Sequence, residues 1–326
     1  MDTALVLFVI SELIGYSFWV LFTRSKNSRG RDIVSFIMFI LALIILVRVF
    51  QLNLDFGLVL SIATLLAGIS WVIGHFIKIE DLRKESKSYF IILFVITCLR
   101  SFTYEPYQIP SRSMEPGLQI GDFVLVNKYA YGLKFPGTHY LLSDLTAPKR
   151  NEVAVFLPPH SLCDVNPQEA RPDIINLSLQ KSQSFLNRFM ALQKQRCTEL
   201  GIKYVKRILG VPGDLVEIKG YEVWINGTKL PHTIIGKDET GDLIEETLDK
   251  GTHIIKSQGI SDYEEHKWKV PEGSYLAIGD NRDNSLDSRA WGYFSDKYLI
   301  GRAEYIWLHW GSFSEFPGFS RNGRIQ

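Results

Sequence analysis

Long apolar stretches in the first third of the chain are the feature that most limits how it can fold. Between Ile33 and Ile77 the only charged side chains are Arg48 and Asp55. Thr3–Phe22 is a similar apolar run, and its length matches the ~20 residues that a helix needs to cross a bilayer. A soluble domain needs no such stretches, so this part of the chain predicts membrane-spanning helices.

Four spans are expected from the apolar runs, at Thr3–Phe22, Ile33–Phe50, Gly57–Ile77 and Tyr89–Leu99. The fourth run is the shortest, and a buried core helix is its alternative. A cleavable leader has a basic start and a small-residue cleavage site. The first run has neither, so we expect it to be retained as an anchor. Glu12 lies within it, either as a functional carboxylate, or facing a polar neighbour in the helix bundle, or simply neutral at its depth.

Lysine and arginine are unevenly distributed among the loops that join these runs. The second loop, Gln51–Phe56, contains neither. The first and third loops hold Arg24, Lys26, Arg29, Arg31, Lys78, Arg83, Lys84 and Lys87. Because loops rich in Lys and Arg stay in the cytoplasm, we expect both termini outside and everything after Tyr104 exported.

From Pro106 onward, short runs rich in β-branched and aromatic residues recur between turn signals. The runs are Phe123–Asn127, Val153–Leu157, Tyr204–Leu209, Leu215–Ile218, Glu222–Ile225, Ser274–Ile278 and Ala303–Leu308. Asn226-Gly227 between two apolar runs predicts a type I′ hairpin. The expected fold is an α-helical membrane anchor of about four transmembrane helices (residues 1–105), followed by a mainly antiparallel β domain (residues 106–326).

One segment in the β-rich half has a different periodicity. Residues 173–200 carry apolar side chains at roughly helical spacing, which predicts an amphipathic helix inserted between two strands and packed on the β domain. Cys163 and Cys197 flank it, and they could pair in an oxidising compartment or remain free thiols. Residues 228–268 are polar and show no periodicity that defines a site. We expect a smaller variable region near residues 219–270.

Composition and motifs argue against several classes of function. The net charge of +1 argues against nucleic-acid binding. The seven histidines include no pair at helical ligand spacing. The run from Asp280 to Asp287 fails the EF-hand pattern, because Arg282 and Ser285 occupy positions that need a ligand and a glycine. No G-x-S-x-G context indicates a serine hydrolase with a histidine base.

A serine paired with a lysine is the remaining route to nucleophilic catalysis, and two stretches could supply the pair. Ser113 lies between Pro110 and Pro116, whose restricted backbone can fix the angle of a hydroxyl. Lys206 lies in a predicted strand on the same face as Tyr204. A lysine is a base only when neutral, so burial must lower its pKa from ~10.4 to ~7–8. On spacing alone, surface residues are the simpler interpretation of both.

Three stretches of the exported half read SFTYEPYQIPSRSMEPGLQIGDFVLVNKYAYG, YVKRILGVPGD and GDNRDNSLDSRAWG. They resemble the sequence boxes of bacterial signal peptidase I (leader peptidase), and they occur in that family's order. The resemblance implies a membrane-bound serine endopeptidase that removes N-terminal signal peptides from exported preproteins. It implies a Ser–Lys dyad on an all-β scaffold, with no metal or organic cofactor.

The same resemblance implies roles for individual residues. Ser113 would be the nucleophile and Lys206 the general base. Ser111 would add its hydroxyl to the Ser113 backbone N–H in an oxyanion hole, and Ser285 would orient the lysine amine. The structural residues near the site would be Arg207, Asp280, Asp287 and Arg289, with Arg207 paired to Asp280.

The resemblance also implies partners and a location. The partners would be preprotein signal peptides, with small residues at positions −1 and −3, and the lipid bilayer, but no nucleic acid. The location would be the bacterial inner (cytoplasmic) membrane, multi-pass, with the catalytic domain on the periplasmic or extracytoplasmic side.

Two features depart from the family pattern. Arg150-Asn151-Glu152 replaces the usual Arg-Gly-Asp, which could reshape a glycine turn. Four spans are expected here, where well-studied relatives have one or two. Two other interpretations stay open: a membrane-anchored, non-catalytic β domain that binds exported chains, and a Ser–Lys peptidase dedicated to one precursor.

Overall fold

The computed structural model describes residues 3–51, 56–134, 142–143, 146–173, 178–198, 201–249, 251–259, 266–312 and 315–326. They fall into two compact units, a helical unit that ends at Phe102 and a β-rich unit that begins at Thr103. Each unit is built from the part of the sequence whose composition predicts it.

The helical unit consists of α1 (Thr3–Arg24), α2 (Ser28–Gln51), α3 (Phe56–Phe76) and α4 (Glu80–Phe102). Within it α1 packs on α2, and α3 packs on α4. Three of these helices are long and apolar enough to cross a membrane, over Thr3–Arg24, Ser28–Val49 and Gly57–Phe76.

The fourth expected span forms a helix, but the first two turns of α4 are charged, with Glu80 and Asp81 at its start. The anchor therefore has three clearly apolar helices plus α4. Thr64 and Thr97 connect α3 and α4 through a buried hydroxyl contact of 3.0 Å, the kind of polar contact that joins helices in a bilayer.

Where it is described, the β-rich unit contains short strands and α-helices. The strands are β1 (Tyr104–Gln108), β2 (Asp122–Asn127), β3 (Val153–Phe156), β4 (Tyr204–Gly210), β5 (Leu215–Lys219), β6 (Glu222–Ile225), β7 (Thr228–Lys229), β8 (His232–Asp238), β9 (Gly241–Leu248), β10 (Gly251–Ser257), β11 (His266–Lys269), β12 (Ser274–Ile278), β13 (Phe294–Ser295), β14 (Leu299–His309) and β15 (Gly323–Arg324). The helices are α5 (Pro167–Ala170), α6 (Leu179–Arg196) and α7 (Ser288–Trp291).

The strands form three antiparallel sheets, which confirms the expected fold class. The largest sheet has the order β1-β2-β14-β3-β4-β12-β13, with β15 on β14. The second sheet has the order β11-β5-β6-β7, and the third has the order β10-β9-β8. In the second sheet, Asn226 and Gly227 have φ angles of 54° and 82°. A type I′ turn requires positive φ at both central residues, so the predicted hairpin is confirmed.

Within the range 173–200, where an inserted helix is expected, the structure has α6. Residues 174–177 and 199–200 of that range lie outside the described residues. Phe185 and Phe189 of α6 are buried in the same apolar cluster as Phe156 of β3 and Trp291 of α7. The helix therefore packs on the β-rich unit, as expected from its amphipathic pattern. Cys163 and Cys197 are disulfide-bonded, with Cα atoms 5.0 Å apart.

The region without a clear sequence pattern, residues 228–268, contains β8, β9 and β10. Most side chains of β8 are exposed, and Ile234 and Ile235 lie among them. On β9 the fully buried positions include a carboxylate, Glu246. Because neither strand alternates apolar with polar residues, the usual signal of a half-buried strand is absent.

Candidate active site

The segment that carries Ser113 is a loop closed at its base, residues 109–121, which we call the nucleophile loop. The N–H of Ile109 donates to the carbonyl of Asp122 at 2.8 Å, and the N–H of Gly121 donates to the carbonyl of Ile109 at 3.0 Å. Gly121 has φ +90°, and a Cβ there would lie 2.6 Å from Gly311 Cα, so only glycine fits. Met114 is buried beneath the loop, which fixes the half-buried Ser113 beside it.

The lysine side chain comes from the middle of the large sheet. Lys206 lies on β4, opposite Ala154 of β3, and only 3% of it is exposed. Its Nζ is 2.6 Å from Ser113 Oγ and 3.0 Å from the carbonyl oxygen of Val205. The centre of the Tyr204 ring lies 5.3 Å from Nζ. Ser113 and Lys206, 93 residues apart in the chain, are thus in direct contact.

Burial lowers the pKa of Lys206 to about 8, against the opposing influence of the Asp287 and Asp280 carboxylates. The cause is desolvation, because a dry environment disfavours the ammonium form. An amine with such a pKa is neutral often enough at moderate pH to accept the proton of an adjacent hydroxyl.

A second hydroxyl lies beside the first. Ser111 Oγ is 3.3 Å from Ser113 Oγ, and both side chains are at least partly open to solvent. A hydroxyl at this place can donate to an oxygen that becomes negative when Ser113 attacks a carbonyl. The oxyanion role expected for Ser111 stays a prediction.

A buried ion pair holds β4, the strand of Lys206, through the next residue, Arg207. Arg207 Nε and Nη2 lie 2.8 and 2.7 Å from the two carboxylate oxygens of Asp280, and both side chains are 3% exposed. This bidentate geometry is the strong form of an arginine–carboxylate contact. The structure therefore brings together the pair that the sequence resemblance implies.

The departure at Arg150-Asn151-Glu152 has a structural explanation. Asn151 has φ +71°, a conformation that asparagine tolerates better than most non-glycine residues. Its carbonyl and side-chain oxygens accept hydrogen bonds from Arg207 Nη1 at 2.9 and 3.0 Å. Asparagine thus keeps the turn that glycine would form and adds an acceptor for Arg207.

A second ion pair, between Asp287 and Arg289, stabilises the C-terminal box, residues 279–292. Arg289 Nε and Nη2 each lie 2.8 Å from an oxygen of Asp287, and the N–H of Gly279 donates to Asp287 at 3.1 Å. Burial alone would raise the pKa of Asp287, but Arg289 and these hydrogen bonds hold it below its usual value. The carboxylate therefore stays charged and keeps both ends of the box together.

Asn281 links this box to the nucleophile, a contact that sequence reasoning missed. Its N–H donates to the carbonyl of Ser113 at 3.2 Å, and its Nδ2 donates to the carbonyl of Arg112 at 3.1 Å. The only available signal was its place inside the box. These two bonds hold the backbone on which the Ser113 hydroxyl is mounted.

Ser285 is half-buried at the same junction, with its Oγ shielded from solvent. A Cβ added at Gly279 would overlap both Ser285 Oγ and the carbonyl oxygen of Ser113, so the close approach requires glycine. Among the described residues, no hydrogen bond joins Ser285 to the Lys206 amine. The orienting role expected for Ser285 therefore stays a prediction.

Comparisons with known proteins agree with this geometry. The family model "Signal peptidase, peptidase S26" matches residues 82–310, a range that includes all three boxes. Signal peptidase I of Pseudomonas aeruginosa is 33% identical over an alignment 273 residues long, which covers 76% of this chain and 82% of that protein. Signal peptidase I of Haemophilus influenzae is 31% identical over 322 residues, covering 79% of this chain and 87% of that protein.

One solved structure was also matched. A signal peptidase I from Enterococcus faecalis is 20% identical, covers 48% of this chain and 97% of its own, and superposes with a TM-score of 0.24. The family match and the two curated relatives are sufficient without it. The family expected from the three boxes is confirmed: this chain belongs to the signal peptidases, peptidase family S26.

Proposed function

We propose that this protein cleaves signal peptides from exported preproteins with Ser113 as nucleophile and the neutral amine of Lys206 as general base. The observation that carries the proposal is the 2.6 Å contact between Nζ and Oγ around an amine that is almost completely buried. Because burial brings the pKa of Lys206 to about 8, about half of the amines are neutral at that pH.

The proposed reaction has two halves that use the same amine. Lys206 takes the proton of Ser113 as Oγ attacks the scissile carbonyl carbon, and the oxyanion is stabilised by the Ser113 N–H and the Ser111 hydroxyl. The ammonium then gives its proton to the leaving amine as the peptide C–N bond breaks. Lys206 next takes a proton from water, which attacks the acyl-enzyme ester. The ammonium returns that proton to Ser113 as the ester bond breaks.

The surrounding residues act in this proposal as supports. Asn281 holds the backbone of the nucleophile loop at Ser113. The pair of Arg207 and Asp280 fixes the end of β12 against β4. Asp287 and Arg289 maintain the C-terminal box, where Ser285 would orient the amine. These four charged side chains exchange no proton with the substrate in the proposed mechanism.

We further propose that residues 1–105 anchor the protein in the bacterial inner membrane and that residues 106–326 form the exported catalytic domain. The three apolar helices and the basic loops around residues 24–31 and 78–87 support a multi-pass anchor with those loops in the cytoplasm. The Cys163–Cys197 disulfide is typical of an oxidising compartment such as the periplasm. The proposed partners are the signal peptides of preproteins and the bilayer.

Substitution of the dyad tests the proposal. In detergent, the full-length Ser113→Ala and Lys206→Ala variants should lose at least ~10³-fold in kcat for cleavage of a purified preprotein. Ser184→Ala on the exposed face of α6 and Lys219→Ala at the exposed end of β5 are matched controls that should keep full activity. Undiminished cleavage by either dyad variant would show that the assigned residues are wrong.

The range of substrates tests the remaining alternatives. We expect the wild-type protein to process several unrelated preproteins, since the site described above depends on backbone chemistry common to all of them. Cleavage of a single precursor only would identify a dedicated peptidase. Binding of exported chains without cleavage by the folded wild-type protein would identify a non-catalytic domain.

A further inference from the structure

A buried histidine lies behind the catalytic lysine. His160 is 0% exposed and lies in the turn Pro159–Ser161 that follows β3. Its Nε2 is 3.2 Å from the hydroxyl of Tyr204, and its ring stacks on Trp291 with a centroid distance of 5.9 Å. The Tyr204 ring in turn lies 5.3 Å from Lys206 Nζ. His160, Tyr204 and Lys206 therefore form a continuous series of contacts.

The turn that carries His160 is attached to the C-terminal end of the inserted helix α6. The N–H of Thr198 donates to the carbonyl of Ser161 at 2.9 Å. Gln193 Nε2 donates to the carbonyls of Leu162 and Val165 at 2.7 and 2.9 Å. The disulfide between Cys163 and Cys197 joins the same two segments covalently. The insertion thus fixes the position of the turn at several points.

We propose that His160 is a positioning residue for Lys206, that it acts through Tyr204, and that α6 with its disulfide holds His160 in place for this purpose. The inference rests on the proposed function, in which Lys206 is the general base. Tyr204 is only half-buried, so its ring needs a second support to stay over the amine. The hydrogen bond from the fully buried His160 ring provides that support.

The consequence is electrostatic. A Tyr204 ring held over Nζ excludes water from the amine, and water would favour the ammonium form. If the ring is released, hydration raises the pKa of Lys206 and reduces its neutral fraction. Loss of the cation–π contact with the ring acts in the opposite direction, but burial is the largest cause of the lowered pKa.

The charged groups near Lys206 and His160 decide which titration the pH profile reports. The charges that act on Lys206 are Asp287 and Asp280, which favour its ammonium form, and Arg289, which opposes it; the uncharged Ser113 hydroxyl faces it from the nucleophile loop. Burial and the nearby Arg196 lower the pKa of His160 to about 4. The histidine is therefore neutral throughout the working pH range, and a change in the pH profile reports Lys206.

The test is the pH dependence of kcat/KM for preprotein cleavage by the full-length protein. His160→Phe keeps a ring on Trp291 but cannot bond to Tyr204. We expect the acidic limb to move up by about half a pH unit to one unit, so that kcat/KM on that limb falls about threefold to tenfold. Tyr204→Phe should show the same shift, and His160→Phe combined with Tyr204→Phe should add nothing further. The amide of His160→Gln can still bond to the Tyr204 hydroxyl, so this variant should return the acidic limb most of the way to its wild-type pH.

Matched variants separate positioning from general stability. Tyr293→Phe removes another buried hydroxyl bond, to the carbonyl of Lys269, and should leave the acidic limb in place. Replacement of both Cys163 and Cys197 by serine should move the limb in the same direction as His160→Phe, but by less. If His160→Phe does not fold, the shift of the acidic limb in Tyr204→Phe tests the positioning role. That variant should fold, because it removes only one oxygen from a half-buried ring.

Two results would overturn the inference: an unmoved limb in Tyr204→Phe, or effects of His160→Phe and Tyr204→Phe that add in the double variant. Additive effects would mean that the histidine acts by packing alone. A different result contradicts the proposed function, namely cleavage of preprotein by Lys206→Ala. Complete loss of cleavage in Lys206→Ala with unmoved limbs in the His160 and Tyr204 variants would therefore reject only the positioning role.

Discussion

The Lys206 amine is enclosed where its charged form is poorly solvated, and this has a cost for the fold. Burial lowers the pKa of Lys206 from 10.5 to about 8. Between those two pH values the unfolded chain binds a proton that the folded chain does not, so the free energy of unfolding rises with pH across this window. Below pH 8 both states are protonated, and the full penalty of roughly 3 kcal/mol applies.

The first prediction at this scale concerns stability. Lys206→Met removes the charge and keeps an unbranched side chain of similar length, so it should abolish cleavage while raising the Tm at pH 7. The gain should shrink between pH 8 and 10, where the wild-type amine loses its proton in the folded state. Thermal unfolding of both proteins at the two ends of this range measures the difference. A Tm of Lys206→Met below the wild-type value at pH 7 would contradict the account.

The second prediction concerns the buried pair of Arg207 and Asp280. Asp280→Asn leaves the guanidinium uncompensated in a dry place, so it should destabilise the protein by ~3–5 kcal/mol. Cleavage should fall as well, because Asn281 next to it holds the Ser113 turn. Glu169→Gln, in an exposed pair with Lys297, is the control and should cost less than ~1 kcal/mol. Denaturant unfolding compares the two, and equal costs would be inconsistent with a buried, paired site.

At the scale of elements, the segments that the sequence predicts well are those whose own pattern is sufficient. Glu222–Ile225 followed by Asn226-Gly227 is a strand and hairpin by local chemistry alone, and α6 has an apolar face of its own. The strands β8 to β10 were missed, because their sheet packs around charges that have partners elsewhere in the chain. Glu246 on β9 pairs with Arg282 of the C-terminal box and lies 2.6 Å from His232 and 3.1 Å from His253.

The same distinction applies to the site. Ser113 and Lys206 were predicted from a resemblance of short boxes, whereas their contact depends on the order of β3, β4 and β12 in the large sheet. His160 carries no signal in the sequence, because a single histidine after two prolines is common in unrelated loops. Its relation to Tyr204 exists only once the turn and β4 are side by side.

The third prediction belongs to the third sheet. Glu246→Gln removes the charge that compensates Arg282, so it should destabilise β8 to β10 by several kcal/mol. Glu245→Gln, the neighbouring exposed position on the same strand, should change little. Hydrogen exchange of the β9 amides measures the local effect in the full-length protein. Equal protection in the two variants would show that the buried charge cluster does not hold this sheet.

At the scale of the whole molecule, charge distribution along the chain sets the proposed topology. Basic residues cluster where α1 ends and α2 begins, and again around the start of α4, whereas the disulfide and the catalytic boxes lie after α4. In the proposed topology α4 is the fourth span, which puts the N-terminus and the β-rich unit on the same side of the membrane.

The fourth prediction tests that topology. In a chain whose free Cys98 is replaced by alanine, Ser25→Cys in the turn after α1 should react with a membrane-impermeant maleimide only after the inner membrane is permeabilised. Ser184→Cys on the exposed face of α6 should react with intact spheroplasts. Labelling of Ser25→Cys from the outside would reverse the orientation and contradict the proposed location of the active site.

The pH dependence of kcat/KM for cleavage of a preprotein by the wild-type, full-length protein tests most directly whether a neutral lysine is the base. The account predicts a rate that falls about tenfold per pH unit below an acidic limb, with that limb at about pH 8, where burial brings the pKa of Lys206. A profile that stays flat down to pH 6, or a limb near pH 10 where an ordinary lysine titrates, would contradict it.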